Sequence, residues 1–248
     1  MGPITAVYSN ITYSQPTVLS RFTIEIPEVT GSDSAGSGIR LNGANDDLTL
    51  LNLSIINQGN TTYPDWSYGI FIEDCIGTAI TECDIEPDDT EKASYGVISL
   101  TSTPIIHDCQ ISGGNADHAD VSAASYGIWT NSSLTITGNS IADRATIDAG
   151  TSSTAIPYGI FITGTATPEI QYILFDSSSG AYYLYENSAT SSPAVFSDNY
   201  FGTQAGYWYT DNDLATVVRY NTFSTTDVSI SGVTHKLSFW NNSGVNAQ

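Results

Sequence analysis

Residues 79 to 85 read "AITECDI", and residues 104 to 111 read "PIIHDCQI". Each carries an apolar residue, two variable ones, a cysteine, one variable residue and an apolar residue. The alternation is that of a β-strand, yet a cysteine stands where an aliphatic residue is usual. The pattern recurs in eight places: "LSRFTI" (19–24), "LLNLSI" (50–55), "ITECDI" (80–85), "IHDCQI" (106–111), "ITGNSI" (136–141), "IQYILF" (170–175), "FSDNYF" (196–201) and "VRYNTF" (218–223). The fourth position reads Phe22, Leu53, Cys83, Cys109, Asn139, Ile173, Asn199, Asn221. The sixth is always apolar, from Ile24 through Ile141 to Phe223.

A second series precedes every copy but the first. It reads "SGIRL" (37–41), "YGIFI" (68–72), "YGVIS" (95–99), "YGIWT" (126–130) and "YGIFI" (158–162), then the degenerate "GAYYL" (180–184) and "AGYWY" (205–209). Each unit therefore holds two or three short strands in fixed order, separated by loops of variable length. Gly and Pro interrupt often and β-branched residues dominate, which excludes helical repeats. Short strands repeated in phase bury their faces by stacking as coils, each paired in parallel with the next. The expectation is one all-β domain over residues 1–248, a parallel β-helix of about eight coils. Its repeat core spans about residues 17–225, its terminal segments act as partial caps, and the whole is cut from a larger protein.

Within "ITECDI", Cys83 and Ile85 share one face of the strand and Asp84 points away. Cys83 and Cys109 are expected to be buried and stacked, serving as small apolar fillers. Asn139, Asn199 and Asn221 in the same slot suit a corner where a side-chain amide satisfies backbone groups. Cys75 lies off this row. Three cysteines without a CxxC pair indicate neither a disulfide framework nor a zinc site.

The "YGI…ITECDI", "YGV…IHDCQI" and "YGI…ITGNSI" units resemble the right-handed parallel β-helix repeats of the pectin-lyase-like superfamily. They are similar to the tandem SYGI-type repeats of secreted and surface bacterial proteins. The resemblance implies a right-handed coil and an extracellular or cell-surface location. It says little of activity, since one fold hosts lyases, hydrolases, epimerases, tailspikes and adhesins. Asp46-Asp47 and Asp88-Asp89 are the only Asp pairs, without the Gly-His-Gly or Arg-Ile-Lys of polygalacturonase-like enzymes. Arg21, Arg40, Arg144 and Arg219 match no lyase arginine motif. The sequence favours a non-catalytic structural or binding rod, with a polysaccharide-active lyase or hydrolase, or an adhesin or tailspike-like receptor binder, as alternatives.

Composition narrows the partners. Asp and Glu number 26 against 6 Lys and Arg, for a formal charge of −20. Such a surface repels nucleic acid and anionic lipid. No run of 18 apolar residues is present to span a membrane. A polysaccharide or a surface protein is the expected partner, and end-to-end self-association is open.

Two surface features stand out. The loops between coils carry Asp65, Glu86, Asp88, Asp89, Asp117, Asp120 and Asp148. Of these, Asp88, Asp89, Asp117 and Asp120 form a candidate calcium site, because clustered carboxylates attract hard cations; no calcium-loop consensus and no other cofactor is indicated. His118 lies in the same acidic stretch. The second feature is parity: if Ile70 and Ile72 face inward, Phe71 faces out. The equivalent positions are Arg40, Phe71, Ile98, Trp129, Phe161, Tyr183 and Trp208, flanked by an outward glycine row. This stripe suits a glycan, a protein partner, or, with inverted parity, the core.

Overall fold

The computed structural model describes residues 4–10, 15–26, 35–43, 47–56, 64–87, 89, 90, 92–116, 124–138, 145–148, 151–152, 157–164, 166, 169–176, 182–188, 195–201, 206–212, 216–223, 228–231 and 237–243. Among these, the strands form three long parallel sheets and one two-stranded pair. Sheet A runs from Ile4–Ser9 to Val228–Ser231, sheet B from Thr17–Ser20 to Leu237–Trp240, and sheet C from Thr23–Glu25 to Thr222–Phe223. The chain visits A, B and C in turn and then begins the next coil one strand further along every sheet. Sheets A and B hold nine strands each and sheet C holds eight. The coil count therefore differs from the eight copies of the sequence pattern. The segments at 4–9 and 237–240 also enter the sheets as strands, beside Ala35–Asn42 and Thr216–Arg219.

The core is a set of columns running down the coils. Ile24, Ile55, Ile85, Ile111, Phe175, Phe201 and Phe223 are all buried in sheet C. The three phenylalanines stack with centroids 4.8 and 4.6 Å apart. One member of this column differs from the sequence alignment. Ile147, in strand Ala145–Asp148, pairs with both Ile111 and Phe175, where the alignment had placed Ile141. Extra residues at that corner shift the strand along the chain; Asn139 and Ile141 themselves lie outside the described residues.

The corner between sheets B and C explains the cysteine. At the described slots the residue just before takes a left-handed conformation: Arg21, Asn52, Glu82, Asp108, Tyr172, Asp198, Tyr220 and Asn241 have φ between 52 and 64°. For a residue with a Cβ this costs about 1–2 kcal/mol. The tight turn also detaches the slot N–H and the carbonyl three residues earlier from their own sheets. The slot side chain of the next coil supplies both partners. Asn199 Oδ1 accepts from Ile173 N–H at 3.0 Å, and its Nδ2 donates to the Ile170 carbonyl at 3.0 Å. Asn221 does the same for Asn199 and Phe196, and Asn242 for Asn221 and Val218.

Cys109 occupies the equivalent geometry. Its sulfur accepts from Cys83 N–H at 3.4 Å, and its thiol lies 3.5 Å from the Ile80 carbonyl and 3.3 Å from the His107 carbonyl of its own coil. Cys83 repeats both contacts, to the Leu50 carbonyl at 3.6 Å and to the Thr81 carbonyl at 3.3 Å. The cysteines are free and buried, but they are not merely apolar fillers, as the sequence suggested: a thiol is a weaker version of the same donor–acceptor pair. Within the pair, the hydrogen bond to Cys83 and then burial hold the Cys109 thiol well above its ordinary range. Cys75 sits at the other corner, between sheets A and B. There Cys75 N–H donates to Ser102 Oγ and Ser102 N–H to Ser132 Oγ, both at 2.9 Å. This serine row was not legible as a repeat.

The glycine row of sheet A faces inward, which corrects the outward placement expected from alternation. A Cβ on Gly38 would lie 2.5 Å from Ile55 Cγ2 and 2.8 Å from the Gly69 carbonyl oxygen; Gly69 meets Ile85 and Gly96 in the same way. The pairing steps from Tyr68↔Tyr95 to Ile70↔Val97 and omits the glycines. Each glycine is thus a local irregularity at which the backbone of sheet A packs directly against a sheet C isoleucine.

Two outcomes follow for stability, both measurable by chemical unfolding. Gly69→Ala should lose about 1–3 kcal/mol through overpacking against Ile85. Asn199→Ala, which leaves a buried N–H and a buried carbonyl without their partner, should lose about 2–4 kcal/mol, whereas Cys109→Asn, which keeps both contacts, should change stability by less than about 1.5 kcal/mol.

Candidate functional site

The outer face of sheet A carries two adjacent aromatic rows. The first is Tyr68, Tyr95, Tyr126 and Tyr158, all half-buried and in backbone register. Their rings stack at 5.3, 4.9 and 5.1 Å with interplanar angles of 17, 5 and 7°. The second row holds Arg40, Phe71, Ile98, Trp129 and Phe161 in register. Between the rows, Phe71 meets Tyr68 edge-on at 5.5 Å, and Phe161 meets Tyr126 and Tyr158 at 5.5 and 5.0 Å. The glycine irregularity lets both the tyrosine and the residue three places later stand on the outer face, which plain alternation forbids.

Three expected members of the stripe are corrected. Ile98 is only 8% exposed, covered between Phe71 and Trp129, and offers almost no contact area. Phe161 pairs with Tyr185, and Tyr185 with Tyr209. Tyr183 falls at a register shift between Tyr182 and Leu184, and Trp208 pairs with Leu184, itself in register with the buried Ile160. One omitted step in the pairing moves both residues out of the row.

Stacking also decides what the face presents. Tyr95 and Tyr126 have a ring on each side, and Trp129 and Phe161 lie at 10° to one another with centroids 6.4 Å apart. Arg40 covers the Phe71 ring at 4.6 Å and pairs with Glu73 at 3.7 Å. Ring faces are largely turned toward neighbouring coils, so the surface presents mainly ring edges. Burial, reinforced by neighbouring phenols, raises the Tyr95 hydroxyl above its ordinary value and pushes Tyr126 up to about 12.

The acidic flank is less uniform than its sequence. Asp65 is buried at 4% exposure and held by Lys92 at 2.6 Å, with Lys92 over the Trp66 ring. It is neutralised within the fold and does not face an open flank. Asp89 is half-buried. Asp88, Asp117, Asp120 and His118 lie outside the described residues. Among the described residues no three His, Cys, Asp or Glu side chains gather as metal ligands.

Two other polar groupings were missed at the sequence level. On the outer face of sheet B, His107 bonds Thr137 Oγ1 through Nδ1 and Asp108 Oδ2 through Nε2, each at 2.9 Å. At the first corners, Arg21, Asn52, Glu82 and Asp84 line a shallow groove with Phe22 and Ser54. The His107–Thr137 bond and the groove bring together residues of different coils, which no local pattern in the sequence marks.

A family model described as right handed beta helix region matches residues 68–244. The match covers well over half of the chain, and the chain belongs to that right-handed β-helix family. It is a rod-like repeat protein. No curated protein matches the chain, and no solved structure does.

The phenol row makes the fold sensitive to alkali. A tyrosine whose folded pKa lies above its unfolded value near 10 favours folding in full below that value. The contribution is lost as pH rises through the folded value, about 12 for Tyr126. Tyrosinate absorbance should therefore show Tyr126 ionising well after free tyrosine, and stability should fall between about pH 10 and 12. The Tyr126→Phe variant should weaken that dependence.

Proposed function

We propose that this chain is a non-catalytic structural rod of an extracellular or cell-surface protein, with the outer face of sheet A as its contact surface. The observation that supports this best is the direction of its side-chain chemistry. Corner thiols, amides and serine hydroxyls bond from one coil to the next, and the tyrosine rings stack along the same axis. These rows stiffen a rod along its length. The partner on the aromatic face is a polysaccharide or a surface protein that accepts contact with ring edges. An adhesin or receptor binder would use the same face.

The groove around Arg21, Glu82 and Asp84 favours a second reading, a polysaccharide lyase or hydrolase. Two carboxylates beside a bound glycan are the minimum for inverting hydrolysis. A polysaccharide panel, assayed for binding and for product release, separates the readings. Binding without product supports the rod; products lost in Glu82→Gln would establish the enzyme. The Trp129→Ala variant should lose about 1 kcal/mol, far below the 3–5 kcal/mol of a buried tryptophan. Its binding to the retained partner should weaken.

A further inference from the structure

Two of the three cysteines share one row. The slot after the B–C turn reads Phe22, Leu53, Cys83, Cys109, Asn139, Ile173, Asn199 and Asn221, so the two thiols stand on consecutive coils. The chain around them is paired in register, with Thr81 opposite His107 and Ile85 opposite Ile111. Both side chains are fully buried, and the hydrogen bond from Cys83 N–H ends on the Cys109 sulfur. Cys75 lies at the A–B corner, where the residue supplied by the next coil is Ser102.

As a corner hydrogen-bonder, a thiol is the poorer choice. The asparagines in this slot reach the preceding coil at 2.9–3.1 Å, the cysteines at 3.4–3.6 Å. The sulfur–hydrogen donor is also weak. What two stacked thiols offer and two stacked amides do not is oxidation.

The spacing suits it. Neighbouring coils lie roughly 4.8 Å apart, within the roughly 4.4–6.8 Å between Cα atoms that a disulfide spans. The bond draws its Cβ atoms to about 3.5–4.5 Å, so the corner closes by only about half an ångström. Little is lost on oxidation. The Thr81 and His107 carbonyls, each 3.3 Å from a sulfur, already accept from Asn52 and Glu82 N–H at 2.9 and 3.0 Å. Only the longer contacts to Leu50 and Ile80 lose their hydrogen.

We propose that Cys83 and Cys109 are a disulfide-forming pair, which ties the third coil covalently to the fourth when the chain folds in the presence of a small disulfide oxidant. One cysteine thiolate attacks the oxidant's disulfide and displaces a small thiolate; the other then attacks the mixed disulfide and displaces the second. In net, the oxidant's S–S bond breaks and the Cys83–Cys109 bond forms. Two cysteine sulfurs are oxidised, the oxidant's two sulfurs are reduced, and the two cysteine protons leave on the small thiols. The exchange takes place while these coils assemble, because in the finished rod both sulfurs are shut away from solvent. A bond across a separation of 26 residues restricts the unfolded chain and so favours the folded one. Such an oxidant is met outside a reducing cytosol, so the use of the bond rests on the extracellular reading of the rod.

Refolding of the reduced, denatured chain in glutathione disulfide, and in parallel in dithiothreitol, tests it. Each product is unfolded, alkylated and mapped by mass spectrometry. The oxidised product should carry one bond, joining the peptides of Cys83 and Cys109, with Cys75 alkylated. Its unfolding temperature should lie about 5–10 °C above that of the dithiothreitol product. In Cys109→Asn, which keeps the corner contacts, the two products should melt together; Cys83→Asn is used instead if circular dichroism shows that variant unfolded. Three alkylated cysteines after oxidative refolding, a bond to Cys75, or glutathione left on both sulfurs overturns the proposal. So does a bond that forms and fails to raise the unfolding temperature. None of these outcomes bears on the polysaccharide panel, which alone decides between the rod and the enzyme.

Discussion

Every coil must turn from sheet B to sheet C in a few residues, and that turn strands backbone groups in a dry interior. A buried N–H or carbonyl without a partner costs on the order of 1–3 kcal/mol. At the described corners from Cys83 onward, the remedy comes from the following coil. Asn199, Asn221 and Asn242 reach back to satisfy the turn below, and Cys109 does so with a thiol. The strained left-handed residue before each slot persists because this contact holds it on the far side. No coil is complete alone, which is why the structure is a rod of repeats rather than a set of separable units.

The same logic shapes the surface. Stacking brings like residues into register, so an aromatic at one position becomes a row of aromatics. A row of rings about 5 Å apart satisfies itself: each ring lies against the next coil's ring. What would be a set of sugar platforms on an isolated strand becomes a stack with exposed edges. Charge follows a different pattern. Loops vary freely between coils and carry most carboxylates, while Asp65 is drawn inside and neutralised by Lys92.

All 26 acidic residues lie between Glu25, in the first-coil strand Thr23–Glu25, and Asp227. The rows of corner side chains and tyrosine rings tie each coil to the next along the rod.

Much of this was legible in the sequence because one-dimensional repetition is directly visible there. The apolar sixth position, the Cys/Asn slot and the order of strands all map onto the coils, since matching positions must stack. Local pairing was not legible. The inward glycine row, the shift that removes Tyr183 and Trp208 from the stripe, and the substitution of Ile147 for Ile141 each depend on where one coil skips a residue relative to the next. The His107–Thr137 bond, the Asp65–Lys92 pair and the Arg21 groove join residues of different coils. The sequence by itself determined the architecture, because burial of a repeating apolar face admits one stacked arrangement. The tertiary structure alone decided which side chains meet across coils, because register is set by close packing of the backbone and by no local preference of the residues concerned.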